Sequence, residues 1–356
     1  MNNIKKGFVA VVFIAVFTGC KKDTDPVFIS TPSSGSELLK LNGIAGAEPG
    51  SVAGNSVYID LSTEKTTPTL RSGWDLGFFS GADFRVVLNS TASAGAKVTG
   101  KFDLSTVGVS DTIGLVLATS QFNPQPGDFA YFDNISGNIS QTIIPAISAA
   151  DAENPVIILN RGTGGAIPAR PWIKLRILRN GNAGYTIQYA GIQESVFKTI
   201  NVTKNEAYNF QFISFDSGVV LPEPEKLKWD LVWTYSQYHA NFGSGFVPYN
   251  FSDLIAVNHL AGVQVKERKY TDATTANAAY NVFTKDSVNV MPPVSGRWTI
   301  ANNWRSTQPV TGARLDRFYV IKDAQGNFYK FKCLNMGVGT DGGTRGKPEF
   351  KYSLIQ

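Results

Sequence analysis

The sequence predicts an all-β protein made of antiparallel strands, and three observations support this fold class. The chain contains 34 Gly and 17 Pro among its 356 residues, so turn-forming residues recur throughout. Aromatic residues make up 12% of the chain, and they fall in short runs with Val, Ile and Thr, which favour strands. Within those runs apolar and polar residues alternate, which is typical of a strand with one buried face.

The N-terminal segment, residues 1–19, is predicted to be a lipoprotein signal peptide. Lys5 and Lys6 precede the apolar run GFVAVVFIAVF, which is shorter than the roughly 20 residues that a membrane-spanning helix needs. Cys20 follows the small residue Gly19, where a lipidated cysteine would become the first residue of the mature chain. The alternative is an ordinary signal peptide in which Cys20 is incidental.

Residues 20–36 are predicted to be a flexible tether, because they are polar, contain Pro, Ser and Gly, and lack apolar periodicity. A lipid on Cys20 would then hold a folded domain at the membrane without spanning it. The start KKDTD resembles the acidic export signal of surface lipoproteins in Bacteroidetes. We therefore expect an outer-membrane protein that is anchored in the lipid bilayer by an N-terminal acyl chain and exposed at the cell surface.

The strands are predicted from segments in which apolar residues recur at every second position. Examples lie at residues 57–61 (VYIDL), 172–178 (WIKLRIL) and 328–334 (FYKFKCL). Lys174 in the second segment and Lys332 in the third are expected to face away from the core.

The connections and the one helix are predicted from local signals. In KDAQGN, Gly326 is expected to take a positive φ in a hairpin that leads into the strand at 328–334. Cys333 lies on the inward face of that strand and is expected to be a small buried apolar residue; with Cys20 lipidated, it has no disulfide partner. Residues 271–283 (TDATTANAAYNVF) carry the clearest helical pattern.

Several blocks occur twice, in the same order and about 155 positions apart. YIDLST pairs with FISFDS, the Trp-Asp-Leu of Trp74 with that of Trp229, and WIKLRIL with FYKFKCL. The near-constant offset predicts a tandem duplication. We therefore expect two β domains of one topology, at residues 37–200 and 201–356.

The two Trp-Asp pairs are predicted to be structural. A large aromatic residue at the same place in each repeat is expected to fill each β core, which assigns this role to Trp74 and Trp229. Asp75 and Asp230 are then expected either to face solvent or to accept hydrogen bonds from a neighbouring loop.

The second repeat carries the pattern of a known family. The segment KWDLVWTYSQYHANFGSG contains Trp-Asp, an aromatic run, and then Asn and Gly. The chain ends with RFYVIKDAQGNFYKFKCLNMGVGTDGGTRGKPEFKYSLI, a closing hairpin and a last aromatic strand. These blocks resemble the HmuY family of Bacteroidetes lipoproteins. The resemblance covers residues from about 205 to 356 and extends, in the same order but more weakly, over about 45 to 195.

The resemblance implies an all-β domain on a lipid anchor. It also implies haem capture by axial ligands from two loops, and delivery to a TonB-dependent outer-membrane receptor. The positions that match those loops lie around Thr274 and Thr275 and at residues 303–307, and neither stretch contains His or Met. Haem binding is therefore expected to be weaker or differently ligated than in the founding member.

Three other side chains are candidate haem ligands. His239 and His259 are the only histidines of the chain, and two neutral imidazoles on opposite faces of a porphyrin would form a haem site. Met336 offers a thioether. The alternative is that the histidines are unrelated surface or half-buried residues and that the methionine fills a gap in the core.

The remaining sequence features favour non-catalytic binding. The formal net charge is +5, and the basic residues are scattered, so no nucleic-acid footprint is visible. No Gly-x-Ser-x-Gly, Walker, His-Glu-x-x-His or Cys-x-x-Cys motif is present, so we expect no enzyme activity. Two alternatives to haem stay open. One is a surface glycan-binding protein that uses the aromatic stretches WTYSQYH and WTIANNW; the other is a structural or adhesive surface protein.

Overall fold

Antiparallel sheets make up most of the regular secondary structure in the computed structural model, which describes residues 31–290 and 292–356. This confirms the predicted all-β class. The predicted signal peptide, Cys20 and most of the predicted tether lie outside the described residues.

Twenty strands and two α-helices are present in the described residues, and short 3-10 helices connect many of them. In chain order they are β1 Gly35–Lys40, β2 Asn55–Asp60, β3 Lys65–Leu70, β4 Leu76–Phe79, β5 Val86–Leu88, β6 Gly95–Val98, β7 Ile157–Asn160, β8 Ile173–Asn180, β9 Gly184–Gly191, β10 Lys198–Thr203, β11 Phe210–Ser214, β12 Gly218–Val220, β13 Leu231–Asn241, β14 Phe246–Val257, β15 Gln264–Lys269, α1 Ala273–Val282, α2 Lys285–Val290, β16 Arg305–Thr307, β17 Val310–Ala313, β18 Arg317–Lys322, β19 Phe328–Asn335 and β20 Glu349–Leu354.

Two five-stranded sheets have corresponding strand orders. One runs β10-β9-β8-β7-β6 and the other β1-β20-β19-β18-β15. In each sheet three consecutive strands form a meander, β7–β9 in the first and β18–β20 in the second. An earlier strand of the same half, β6 or β15, lies at one edge. The other edge is formed by β10 or β1, which comes just before the other strands of the opposite half. This correspondence agrees with a duplication, which stays a prediction.

Two four-stranded sheets join the halves by exchanging hairpins. Hairpin β2–β3 of the first half pairs with β13–β14 of the second, with Ile59 opposite Leu231. Hairpin β11–β12 of the second half pairs with β4–β5 of the first, with Ile213 opposite Leu76. Each half therefore completes a sheet of the other.

The predicted division at residue 200 does not separate two independent sets of sheets. Strands from both sides of it pair in three of the sheets, and residues 32–356 form one compact unit. The main core cluster confirms the interleaving, because Leu39 and Val57 pack in it with Trp233 and Phe350. Alternation along a strand shows which face is buried but not which neighbour supplies the backbone hydrogen bonds, so the exchange left no mark in the sequence.

The predicted strand faces hold, but two lysines on the outer faces are buried rather than exposed. Lys174 is 4% exposed, and its Nζ donates to the Val107 carbonyl at 2.7 Å. Lys332 is 2% exposed, and its Nζ donates to Asn277 Oδ1 at 2.6 Å. Both were expected to face away from the core. A second layer covers the outer face of each sheet, so each ammonium is buried with a hydrogen-bond acceptor.

The helix and hairpin predictions are confirmed. Helix α1 lies within the predicted segment, and the Asp272 side chain caps it by accepting from the Thr275 amide at 2.7 Å. Gly326 has a φ of 95° in the turn between β18 and β19, and Cys333 is buried. None of the helices in the described residues combines the length and apolar character that crossing a membrane would require.

Candidate functional site

The two Trp-Asp pairs hold the exchanged hairpins in place. Asp230 Oδ2 accepts a hydrogen bond from the Leu61 amide at 2.8 Å, and Asp75 Oδ2 accepts one from the Phe215 amide at 2.8 Å. Both aspartates are buried, so of the two expectations the hydrogen-bonding one is confirmed. Each carboxylate thus fixes the residue that follows a strand of the opposite half.

The electrostatic surroundings of the two aspartates differ. Asp75 lies 2.8 Å from Arg161 Nη2 and 3.0 Å from Arg170 Nη1. Asp230 has no ion pair with the described residues. Its pKa is therefore raised to about 8, chiefly by burial and also by the nearby Asp323 and Asp60, against the opposing effect of the Leu61 amide.

The tryptophans lie beside a central cavity of about 120 Å³ between the exchanged hairpins. Trp229 meets the ring of Tyr58 edge-on at 5.0 Å, and Trp74 meets Phe212 edge-on at 4.9 Å. Aromatic side chains of both halves thus form the walls of the central cavity. Trp229 is 7% exposed, which agrees with its predicted core role, whereas Trp74 is only half-buried.

Charged groups lie at one end of the central cavity. Burial raises the pKa of Glu223 to about 8, although Asn209 donates to its carboxyl at 3.2 Å and Arg297 opposes the shift. Burial also lowers the pKa of Arg297, which interacts with Glu223, Tyr58 and Asp133. Burial raises the pKa of Asp133 to about 6, with opposing hydrogen bonds from the Leu88 and Ile143 amides. At neutral pH, Glu223 is therefore mostly protonated.

His259 lies at the edge of this cavity and is held by backbone carbonyls. Its Nε2 is 3.3 Å from the Gly137 oxygen and its Nδ1 is 3.4 Å from the Val257 oxygen. Burial lowers the pKa of the imidazole, and the positive charge of Arg297 lowers it further. A cavity of about 120 Å³ can hold ordered water or a small molecule, but it is below the range of about 300 to 1,000 Å³ typical of larger ligands.

His239 lies in a different place, a groove of about 580 Å³ that we call the histidine groove. Its imidazole is half-buried, contacts the ring of Phe246 edge-on at 4.6 Å and lies 4.1 Å from the ring of Tyr238. Burial lowers the pKa of His239. The residues that line the groove are Phe129, Phe132, Asp133, Asn134, Ile135, Gln141, His239 and Phe246.

The structure does not bring the two histidines to one cavity. His239 lines the histidine groove and His259 lines the central cavity, and the segment 133–135 lines both. This segment belongs to a loop that Trp298 holds through a hydrogen bond from its Nε1 to the Ile135 carbonyl. A porphyrin with these two imidazoles on its opposite faces would require this loop to move.

The other predicted positions offer no ligand in this arrangement. Met336 has no exposed surface and packs in the main core cluster, which agrees with the alternative that it fills the core. Thr274 and Thr275 lie in the first turn of α1. Residues 303–307 form a turn and strand β16. Within the described residues, His, Cys, Asp and Glu side chains form no group of three or more that could hold a metal ion.

The aromatic lining of the histidine groove was missed at the sequence level. Phe129 lies in the 3-10 helix Pro126–Tyr131, and Phe132 follows it directly, in a region without period-two alternation. Phe246 begins β14 and is exposed, so its role depends on the pairing of β13 with β14. Three aromatic residues within four positions, FAYF at 129–132, were the available signal in the sequence.

Comparison with known proteins gives one match. The chain matches the family described as HmuY protein over residues 53–352, in a single match. No curated protein and no solved structure matches the chain. Because the match covers most of the sequence and agrees with the all-β fold, the chain belongs to the HmuY family.

Proposed function

We propose that this protein captures haem at the cell surface, in the histidine groove, with His239 as the single protein ligand to the iron. Family membership supports a haem-related role. The groove volume of about 580 Å³ falls in the range of about 300 to 1,000 Å³ typical of small-molecule sites. The rings of Phe129, Phe132 and Phe246 offer apolar surface for a porphyrin face.

The state of the His239 imidazole is the observation that carries the proposal. Neither ring nitrogen has a hydrogen-bond partner among the described residues, whereas both nitrogens of His259 face carbonyls. Burial lowers the pKa of His239, so the ring is neutral at physiological pH and keeps a lone pair for iron. A free, neutral, half-buried imidazole beside aromatic rings suits an axial haem ligand.

The pair of histidines supplies a matched test, because the chain has no others. Haemin is titrated into the purified protein, and the Soret band is followed for wild type, His239→Ala and His259→Ala. We expect saturation at one haem per chain, at least tenfold weaker binding for His239→Ala, and unchanged binding for His259→Ala. A single imidazole leaves the sixth position to water, so a high-spin ferric spectrum is expected. Equal binding by wild type and His239→Ala would reject the proposal.

The proposal includes the location and the partner. The tether was predicted to reach residue 36, but β1 begins at Gly35, so the tether ends before that residue. An acyl chain on Cys20 and this shorter tether would place the groove outside the outer membrane, where a TonB-dependent receptor could take the haem. Family membership supports a surface location. Ligation by one residue suits a protein that hands haem on, because only one bond between the protein and the iron must break when haem is transferred to the receptor.

A further inference from the structure

A second groove, of about 600 Å³, lies beside strands β13 and β14 and contains no histidine. We call it the arginine groove. Its walls combine aromatic rings, hydroxyl groups and two guanidinium groups. The lining residues used below are Tyr249, Phe251, Thr163, Ser252, Arg305 and Arg345.

The two arginines of this groove share a single buried acid. Arg345 Nη2 lies 2.6 Å from Asp253 Oδ2 and donates to Ser252 Oγ at 2.8 Å. Arg305 Nη2 donates to the Ser252 carbonyl. Asp253 is 1% exposed and does not line the groove, whereas both arginines do. One buried carboxylate thus faces two positive charges. The cluster therefore carries an excess positive charge toward the groove.

The arginines also keep unused donors. Arg305 is 6% exposed, and the Nε atoms of Arg305 and Arg345 are buried without a hydrogen-bond acceptor among the described residues. A buried N–H without an acceptor is destabilising, and more so when the group is charged. An oxyanion in the groove would offset the excess charge and accept hydrogen bonds from the accessible part of Arg345, whose side chain is 23% exposed, in the geometry that guanidinium groups favour for carboxylates.

The aromatic and hydroxyl residues of the groove indicate which kind of molecule would carry the anionic group. Tyr249 and Phe251 are half-buried, and their rings meet edge-on at 5.0 Å beside the Arg305 guanidinium, which lies 5.9 Å from the Phe251 ring. Hydroxyl groups, such as that of Thr163, line the same groove. Half-exposed aromatic rings next to hydroxyl groups suit a compact ring that carries hydroxyl groups of its own.

We propose that the arginine groove binds a sugar that carries a carboxylate, with Arg305 and Arg345 on the carboxylate and the aromatic rings against the sugar ring. This site shares no lining residue with the histidine groove, so the proposal does not depend on haem binding.

The test compares galacturonate with its methyl ester by isothermal titration calorimetry on the purified protein. The ester keeps the sugar ring and removes the negative charge. The difference in affinity between the two ligands for the wild-type protein therefore measures the contribution of the carboxylate. We expect the ester to bind at least tenfold more weakly, as loss of a charge-assisted hydrogen bond predicts. Equal binding of acid and ester, or no binding of galacturonate at millimolar concentration, would overturn the proposal. Inorganic phosphate that binds as tightly as galacturonate would also overturn it, because the sugar would then contribute nothing.

Variants locate the site. Arg345→Gln is expected to weaken galacturonate binding at least tenfold, whereas Arg85→Gln, at a half-buried arginine outside the groove, is expected to leave it unchanged. Equal binding by wild type and a folded Arg345→Gln would place the sugar elsewhere and overturn the assignment. His239→Ala is expected to keep galacturonate binding, so failure of the haem proposal and failure of this one are distinguishable.

Discussion

Asp75 and Asp230 occupy equivalent places in the two halves, and each accepts a backbone hydrogen bond at 2.8 Å from the half opposite to its own. They differ in charge compensation, because Asp75 faces two arginines while Asp230 faces other carboxylates. The same hydrogen bond is thus formed by two carboxyl groups in different electrostatic surroundings. This contrast gives the first two predictions.

Replacement of Asp75 by Asn is expected to lower the free energy of unfolding by about 3 kcal/mol, because it leaves the Arg161 charge buried without its inner partner. The matched control is Asp216→Asn, which removes the outer partner of the same arginine. The Asp216 side chain is 65% exposed, so we expect a loss of less than about 1 kcal/mol. Urea denaturation measures both variants, and equal losses would contradict the prediction.

Replacement of Asp230 by Asn is expected to stabilise the protein at alkaline pH. The pKa of Asp230 is about 8 in the folded protein and near its ordinary value of 3.8 in the unfolded chain, so the folded state binds a proton that the unfolded chain releases. The free energy of unfolding of wild type therefore falls with rising pH between these values, by up to about 1.4 kcal/mol per pH unit from this group. Asn keeps an oxygen for the Leu61 amide and does not titrate.

Urea denaturation of both proteins at a series of pH values checks this prediction. The stability advantage of Asp230→Asn should widen as the pH rises from about 5 to 8. Glu223 contributes to the pH dependence of both proteins alike, so the difference isolates Asp230. Parallel curves would show that Asp230 is not the titrating group.

The pH dependence of haem binding follows from the state of His239. Iron competes with protons for the imidazole, so affinity is lost as the pH falls through the pKa of the free histidine. Burial lowers that pKa below its ordinary value of 6.5. Haem should therefore stay bound at pH 6.5 and dissociate only in more acidic solution, as followed by the Soret band. Loss of half the binding above pH 6.5 would contradict single ligation by His239.

Gly137 is predicted to be required by the loop that separates the histidine groove from the central cavity. It has a φ of +78°, and an added Cβ would lie 2.6 Å from Arg297 Cδ. Gly218 has a φ of +80° with nothing within 4 Å, so Gly218→Ala measures the backbone strain alone, about 1 kcal/mol. Gly137→Ala should cost about 1–3 kcal/mol more from overpacking, as seen in thermal unfolding. Equal costs would show that Arg297 moves aside freely.

The lipid anchor is tested by metabolic labelling with a radiolabelled fatty acid. The position of Cys20 after the apolar run predicts label in wild type and none in Cys20→Ala. Cys333 is buried, so Cys333→Ala serves as the control and should be labelled like wild type. Equal labelling of the two variants would remove the anchor from the proposal.

The sequence was sufficient for the local structure and insufficient for its assembly. Alternation predicted the inward faces of β8 and β19, because it depends only on the strand itself. It could not predict that β2 pairs with β13, since pairing partners are distant in the chain. His239 could be selected from the sequence because histidine is rare in this chain. The groove around His239 is made by Phe132 and a loop from the other half, and no local sequence pattern connects these residues to His239.

The exchange of hairpins also constrains how the chain can reach its native state. β1 pairs with β20, so the first and last strands of the described chain become neighbours only after the whole sequence is available. Long-range pairings of this kind slow folding, because distant segments must meet before their contacts form. A chain shortened before residue 349 would leave β1 without its partner, and either half alone would present unpaired strand edges that invite aggregation. The protein must therefore remain unfolded, or be protected, until its C-terminal strand is available.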